Sequence, residues 1–86
     1  MEMVLRVEYY DDNKLKELIK KLNKNNISFE YVGDKQDNTI DIYGLVNFSN
    51  SYRNLQFYVE FYNKNNELKY FDITENEIAR YTINLF

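Results

Sequence analysis

From Leu55 to Tyr62 the chain alternates without a break: Leu55, Phe57, Val59 and Phe61 fall on one side, Gln56, Tyr58, Glu60 and Tyr62 on the other. Only an extended strand sorts side chains with a period of two, so this segment has to be a half-buried β-strand. Met3, Leu5, Val7 and Tyr9 alternate in the same way with Val4, Arg6, Glu8 and Tyr10, which gives a first strand. Between these two, Leu15, Leu18, Ile19 and Leu22 recur at helical spacing behind Asp11-Asp12-Asn13, whose oxygens and charge suit a helix start. Asn25-Asn26 can take the left-handed conformation that ends the helix.

The remaining elements follow from shorter patterns. Ile27, Phe29 and Tyr31 predict a brief second strand, and the polar run from Gly33 to Asn38 a loop. A third strand begins near Thr39, with Ile40, Ile42, Val46 and Phe48 on one face and Gly44 marking a bulge or a close approach. Ser49-Asn50-Ser51 and Asn63-Lys64-Asn65-Asn66 read as turns on either side of the fourth strand, and a fifth strand runs from Glu67 to Asp72. The last segment fits two patterns. Thr74 to Glu77 resembles a capping box ahead of helically spaced Ile78, Tyr81, Thr82 and Leu85, yet Ala79, Tyr81, Ile83 and Leu85 also alternate. A short helix is the preferred reading and a strand the alternative.

The expected fold is therefore α+β: a two-layer sandwich of order β-α-β-β-β-β with a short C-terminal helix or strand, and the helix packed on one face of a mainly antiparallel sheet. The opening strand–helix–strand predicts a crossover into parallel neighbours. At 86 residues the chain is a single domain, 1–86, with no internal repeat or linker.

Composition removes several function classes. The chain has no Cys and no His, so thiolate chemistry, disulfides, the commonest general base and zinc ligation are not expected. Ser49 and Ser51 have no base to activate them, and Gly33 and Gly44 are too few for a phosphate-cradling loop. Asp41, Glu60 and Glu67 are the best carboxylates, but they spread over a flat solvated face, and Asp34, Asp37 and Asp41 lack calcium-loop spacing. The expectation is no enzyme, no metal and no cofactor. Met1-Glu2-Met3-Val4-Leu5-Arg6 lacks the pattern of an export signal, and no apolar run approaches the ~20 residues of a membrane span, which predicts a cytoplasmic protein. Abundant Asn, lysine in excess of arginine and absent Pro are a bias of AT-rich coding, as in a low-GC bacterium or its phage.

Aromatic residues make up 17% of the chain, nine Tyr and six Phe, more than a core of this size can hold. Some tyrosines must lie outside. If Phe48 opposes Leu55 and Phe61 opposes Leu68, the outward face carries a row of Leu45, Tyr58 and Phe71, with Tyr43, Glu60, Tyr62 and Lys69 around it and Glu60 paired to Lys69. An apolar centre within a ring of tyrosines and charges is the make-up of a protein-binding surface. Burial of this row under the segment Ile78 to Phe86 is the competing expectation.

Charge is uneven: five lysines against Glu17 give residues 13–24 a net +4, so the rest of the chain carries −7 for an overall −3. Lys16, Lys20 and Lys24 form the alternative, a nucleic-acid-binding helix. The preferred function is a small non-catalytic interaction module whose partner is another protein or a second copy as a homodimer. Its finer form is an inhibitor of phage or mobile-element type, or an immunity-type protein, that occludes a host protein. Asn54 to Lys64, with Val46-Asn47 upstream, resembles the central hairpin of FxLYD-type β-sandwich domains of secreted or surface-anchored bacterial proteins. The resemblance covers under a third of the chain and implies a hairpin. This sequence has a helix where that family has strands, so no function is carried over.

Overall fold

The computed structural model describes residues 3–51, 53 and 55–85. Met1 and Glu2 of the leading segment, Asn54 of the hairpin resemblance and Phe86 of the C-terminal segment lie outside the described residues. The elements are β1 (Met3–Tyr9), α1 (Asp12–Lys24), β2 (Phe29–Tyr31), β3 (Thr39–Ser51), β4 (Gln56–Tyr62), β5 (Leu68–Thr74) and β6 (Ile78–Leu85), with short 3-10 turns at Lys35–Asp37 and Glu75–Glu77. The fold is α+β, one helix against one six-stranded sheet of order β5-β4-β3-β1-β6, with β2 also paired to β3. Among the described residues no helix is long and apolar enough to cross a membrane.

Both ends of α1 are closed as its sequence predicts. The Asp11 carboxylate accepts from the Asn13 N–H at 2.8 Å, and Lys21 and Lys24 occupy the last turn. Asn26 adopts φ 59°, which lets the Ile27 N–H reach the Leu22 carbonyl at 2.9 Å and the Asn26 N–H that of Asn23 at 3.2 Å. This is the paired-bond helix terminus that a left-handed residue permits, and Ile27 and Leu22 are both buried beside it.

Every strand pairing is antiparallel. The expected parallel crossover does not occur: β1 lies between β3 and β6, and β2 pairs with β3 alone. The C-terminal segment is a strand, the alternative reading. A three-residue 3-10 turn takes the place of the capping box, and β6 then pairs with β1 from Tyr9↔Ile78 to Met3↔Leu85. It does not fold over the outer face. Its Tyr81 instead reaches into the core, with ring centroids 4.4 Å from Phe57 and 5.3 Å from Phe48. β5 and β6 stand at opposite edges of the sheet yet are consecutive in the chain, joined by those three residues. The sheet therefore curls around its core, with α1 laid over the inner side.

β3 controls the curl. It spans 13 residues and carries two irregularities: Gly44 is extra against β1, where Val4 pairs with Tyr43 but Met3 with Leu45, and Val46 is extra against β4, where Leu45 pairs with Phe61 but Asn47 with Glu60. Each extra residue inverts the side-chain alternation. Ile40 and Ile42 face inward, the first inversion brings in Leu45 in place of Val46, and the second brings in Phe48. Gly44 has φ +85°, and a Cβ there would lie 2.5 Å from the Tyr62 carbonyl oxygen. β3 also continues through Ser49-Asn50-Ser51, which the sequence reads as a turn. Leu55 is half-exposed outside β4 with φ 50° and does not oppose Phe48.

Two outcomes follow. Gly44→Ala should destabilise by at least the ~1–3 kcal/mol of a forced left-handed residue, because the contact with Tyr62 adds to the strain; denaturant unfolding measures it. Tyr9 is buried, and desolvation, reinforced by the charge of Glu77, pushes its phenol far above the ordinary value of 10. Below pH 10 the phenol is protonated in both folded and unfolded chains. Above it only the unfolded chain releases the proton, so stability should fall by up to ~1.4 kcal/mol per pH unit. Thermal melts from pH 9 to 11 should show this fall, and Tyr9→Phe should flatten it.

Candidate protein-binding face

The β4–β5 hairpin is aligned by its turn. Asn66 adopts φ 61°, the Asn66 N–H reaches the Asn63 carbonyl, and the Asn63 N–H donates to the Glu67 carbonyl, both at 3.0 Å. That is a three-residue loop followed by a bulge at a left-handed residue. The side chain of Asn63 is itself buried. Its Nδ2 donates to the Asn25 carbonyl at 2.9 Å, and its Oδ1 accepts from the N–H groups of Asn65 and Glu67 at 2.9 Å each. One amide thus fixes the turn and latches it to the end of α1.

The resulting ladder is Tyr62↔Leu68, Phe61↔Lys69, Glu60↔Tyr70, Val59↔Phe71, Tyr58↔Asp72, Phe57↔Ile73 and Gln56↔Thr74. It lies one residue from the expected register, and the candidate row changes accordingly. Leu45 and Phe71 belong to the core, 5% and 8% exposed, with the Phe71 ring 6.0 Å from that of Phe61. Lys69 opposes Phe61 at the inner rim and approaches Glu67 at 3.9 Å, so it forms no pair with Glu60. Tyr58, Glu60 and Tyr62 remain outward as expected. They are joined by Leu68, Tyr70 and Asp72, which the sequence reading missed. The signal for them was Asn66: an asparagine able to sit left-handed at the bulge position selects the three-residue loop, and hence the register.

The face so built is continuous. The rings of Tyr58 and Tyr70 stack at 6.0 Å with 26° between planes, and Tyr62, Leu68 and Tyr70 are each half-exposed or more. The Tyr58 hydroxyl donates to Gln56 Oε1 at 3.3 Å. The Tyr70 phenol is held above its usual range by desolvation and by the nearby Asp72 carboxylate. Asn47 and Ser49 extend the same face on β3, opposite Glu60 and Tyr58. Tyr43 stands to one side: its hydroxyl donates to Glu30 Oε2 at 3.1 Å, and it borders a shallow cleft together with Tyr62 and Gly44.

The lysine helix presents a different surface. Lys16, Lys20 and Lys24 are exposed on the solvent side of α1, but Lys16 is bound to the Asp12 carboxylate at 2.9 Å, which raises its pKa. Lys14 lies between Glu17 at 3.7 Å and Glu77 at 3.6 Å. On the outer side of β1 a cleft of about 300 Å³ holds Arg6 and Arg80. Each is already matched, Arg6 through two bonds of 2.8 and 3.0 Å to Asp41 and Arg80 to Glu8 at 3.0 Å. No protein-family model matches the chain, and neither a curated protein nor a solved structure is significantly similar to it.

The two kinds of aromatic site should separate in thermal melts. Leu45→Ala and Phe71→Ala leave cavities and should each cost about 2–5 kcal/mol. Leu68→Ser and Tyr70→Ser remove half-exposed side chains and should stay within about 1 kcal/mol of the parent.

Proposed function

We propose that this protein is a small, non-catalytic binding module that presents the outer face of the β4–β5 hairpin to another protein. The observation that carries the reading is the contiguous exposure of Tyr62, Leu68 and Tyr70, with the half-buried Tyr58 ring stacked beside Tyr70, on a rigid two-stranded platform. Folded chains rarely leave joined aromatic and aliphatic side chains in water, and tyrosine is prominent among the anchors of protein interfaces. The hairpin is held by a buried amide to the helix, so little ordering entropy is lost on docking.

On this reading the protein acts by occupancy, in the cytoplasm, covering a working surface of its partner in the manner of a phage or mobile-element inhibitor or an immunity protein. Its small size and acidic balance of −3 suit that mode. Nucleic-acid binding through Lys16, Lys20 and Lys24 has less support, because those lysines and the outer tyrosines lie on opposite sides of the sheet and Glu60 and Asp72 would repel phosphates.

Affinity capture decides between the two readings. Protein carrying Tyr62→Ser, Leu68→Ser and Tyr70→Ser should lose its partner while melting within a few degrees of the parent. Protein carrying Lys16→Glu, Lys20→Glu and Lys24→Glu should keep it. The opposite pattern, with nucleic acid recovered by the parent and lost from the lysine variant, would overturn the proposal.

A further inference from the structure

The outward positions of β4 and β5 form a chequered pattern. Tyr58, Glu60 and Tyr62 succeed one another along β4, Leu68, Tyr70 and Asp72 along β5, and the ladder sets Tyr58 across from Asp72 and Glu60 across from Tyr70. Each carboxylate therefore has a tyrosine ring opposite it and another two residues along its own strand. With Gln56 and Thr74 completing the two strands, none of the eight outward positions is Lys or Arg. Neither Glu60 nor Asp72 forms an ion pair among the described residues.

That pattern matches one side chain best. A guanidinium can lie flat on a ring face while its edge donates two parallel hydrogen bonds to a neighbouring carboxylate; an ammonium carries only a compact charge. Like positions along the face repeat about every 6.8 Å, two residues of strand. Alternate residues of an extended segment have the same spacing, and residues four apart on a helix are separated by about 6 Å. A second copy docked face to face would set Glu60 and Asp72 against their own counterparts with no cation between them, which opposes self-association through this surface.

We propose that the partner segment received by this face carries arginines at that spacing, each stacked on the exposed ring of Tyr62 or Tyr70 and bonded to Glu60 or Asp72. This rests on the binding role of the face proposed above. It places on the partner a basic strip of the kind that proteins use to grip phosphates, so occupancy here would compete with phosphate binding there.

The test uses the full chain and two blocked synthetic peptides of equal length, one alternating arginine with threonine, the other lysine with threonine. Binding is followed by backbone amide NMR shifts and by tyrosine fluorescence, which is free of tryptophan because the chain has none. The arginine peptide should shift the β4 and β5 amides and bind several-fold tighter than the lysine peptide. Glu60→Gln with Asp72→Asn should weaken it about ten-fold. Glu17→Gln with Asp34→Asn, which removes the same charge far from the face, should change it less than two-fold. Tyr70→Leu, which keeps the apolar area but removes the ring, should also weaken binding.

Equal affinity for both peptides, equal weakening by the two charge-neutral pairs, or shifts outside the hairpin would each overturn the arginine assignment. A captured partner that is lost with Tyr62→Ser, Leu68→Ser and Tyr70→Ser but binds without basic residues would overturn this assignment alone and leave the binding role standing. Capture indifferent to that triple variant would remove the binding role itself.

Discussion

The close approach of Gly44 to the Tyr62 carbonyl is the constraint on which the other contacts depend. A side chain at residue 44 would separate β3 from β4 at that point, and with the strands separated neither Leu45 nor Phe48 would be carried to the inner side. The two single-residue inversions in β3 let one long strand serve β1 and β2 with its first half and β4 with its second. They also bend the sheet until Tyr81 of β6 meets Phe57 of β4 across the interior. The local cost of an unpaired residue at each bulge is offset by closing a core that a flat sheet of this length could not enclose.

The sequence was most legible where period and punctuation agreed. β1, α1 and β4 follow from strict alternation or from i, i+3, i+4 spacing, and the asparagines after α1 end it as their left-handed tolerance requires. Legibility failed where a single residue changed the phase. Val46 is as apolar as Leu45, so pattern alone could not say which of them points inward; the bulge decides, and it depends on contacts with two other strands. Likewise the phase of β5 depends on whether the turn holds three or four residues. That choice moved Phe71 from the expected surface to the core and put Tyr70 and Leu68 outside. The C-terminal segment was ambiguous for another reason: a β-branched, alternating strand can carry helical spacing by coincidence, and pairing with β1 overrides a weak capping signal.

Lys69 bears on why the hairpin offers its face rather than its edge. It lies on an edge strand with its side chain on the inner side, at the rim of the core beside Glu67. An inward charge on an edge strand discourages another strand from zipping alongside. The polar outer face, by contrast, has its rings and carboxylates fixed in a regular array by the ladder beneath them. Rigidity, exposure and a single sign of charge coincide there, while five of the eleven cations are gathered on α1 and Arg6 and Arg80 are matched to Asp41 and Glu8.

The pairing of Met3 with Leu85 has a kinetic meaning. The outer neighbour of β1 is made some eighty residues after it, so one flank of that strand stays unsatisfied while all the intervening elements are synthesised. Contacts so distant along the chain slow the search for the native state. The helix and the β4–β5 hairpin can form from neighbouring residues, whereas β6 finds its place only through contacts distant along the chain.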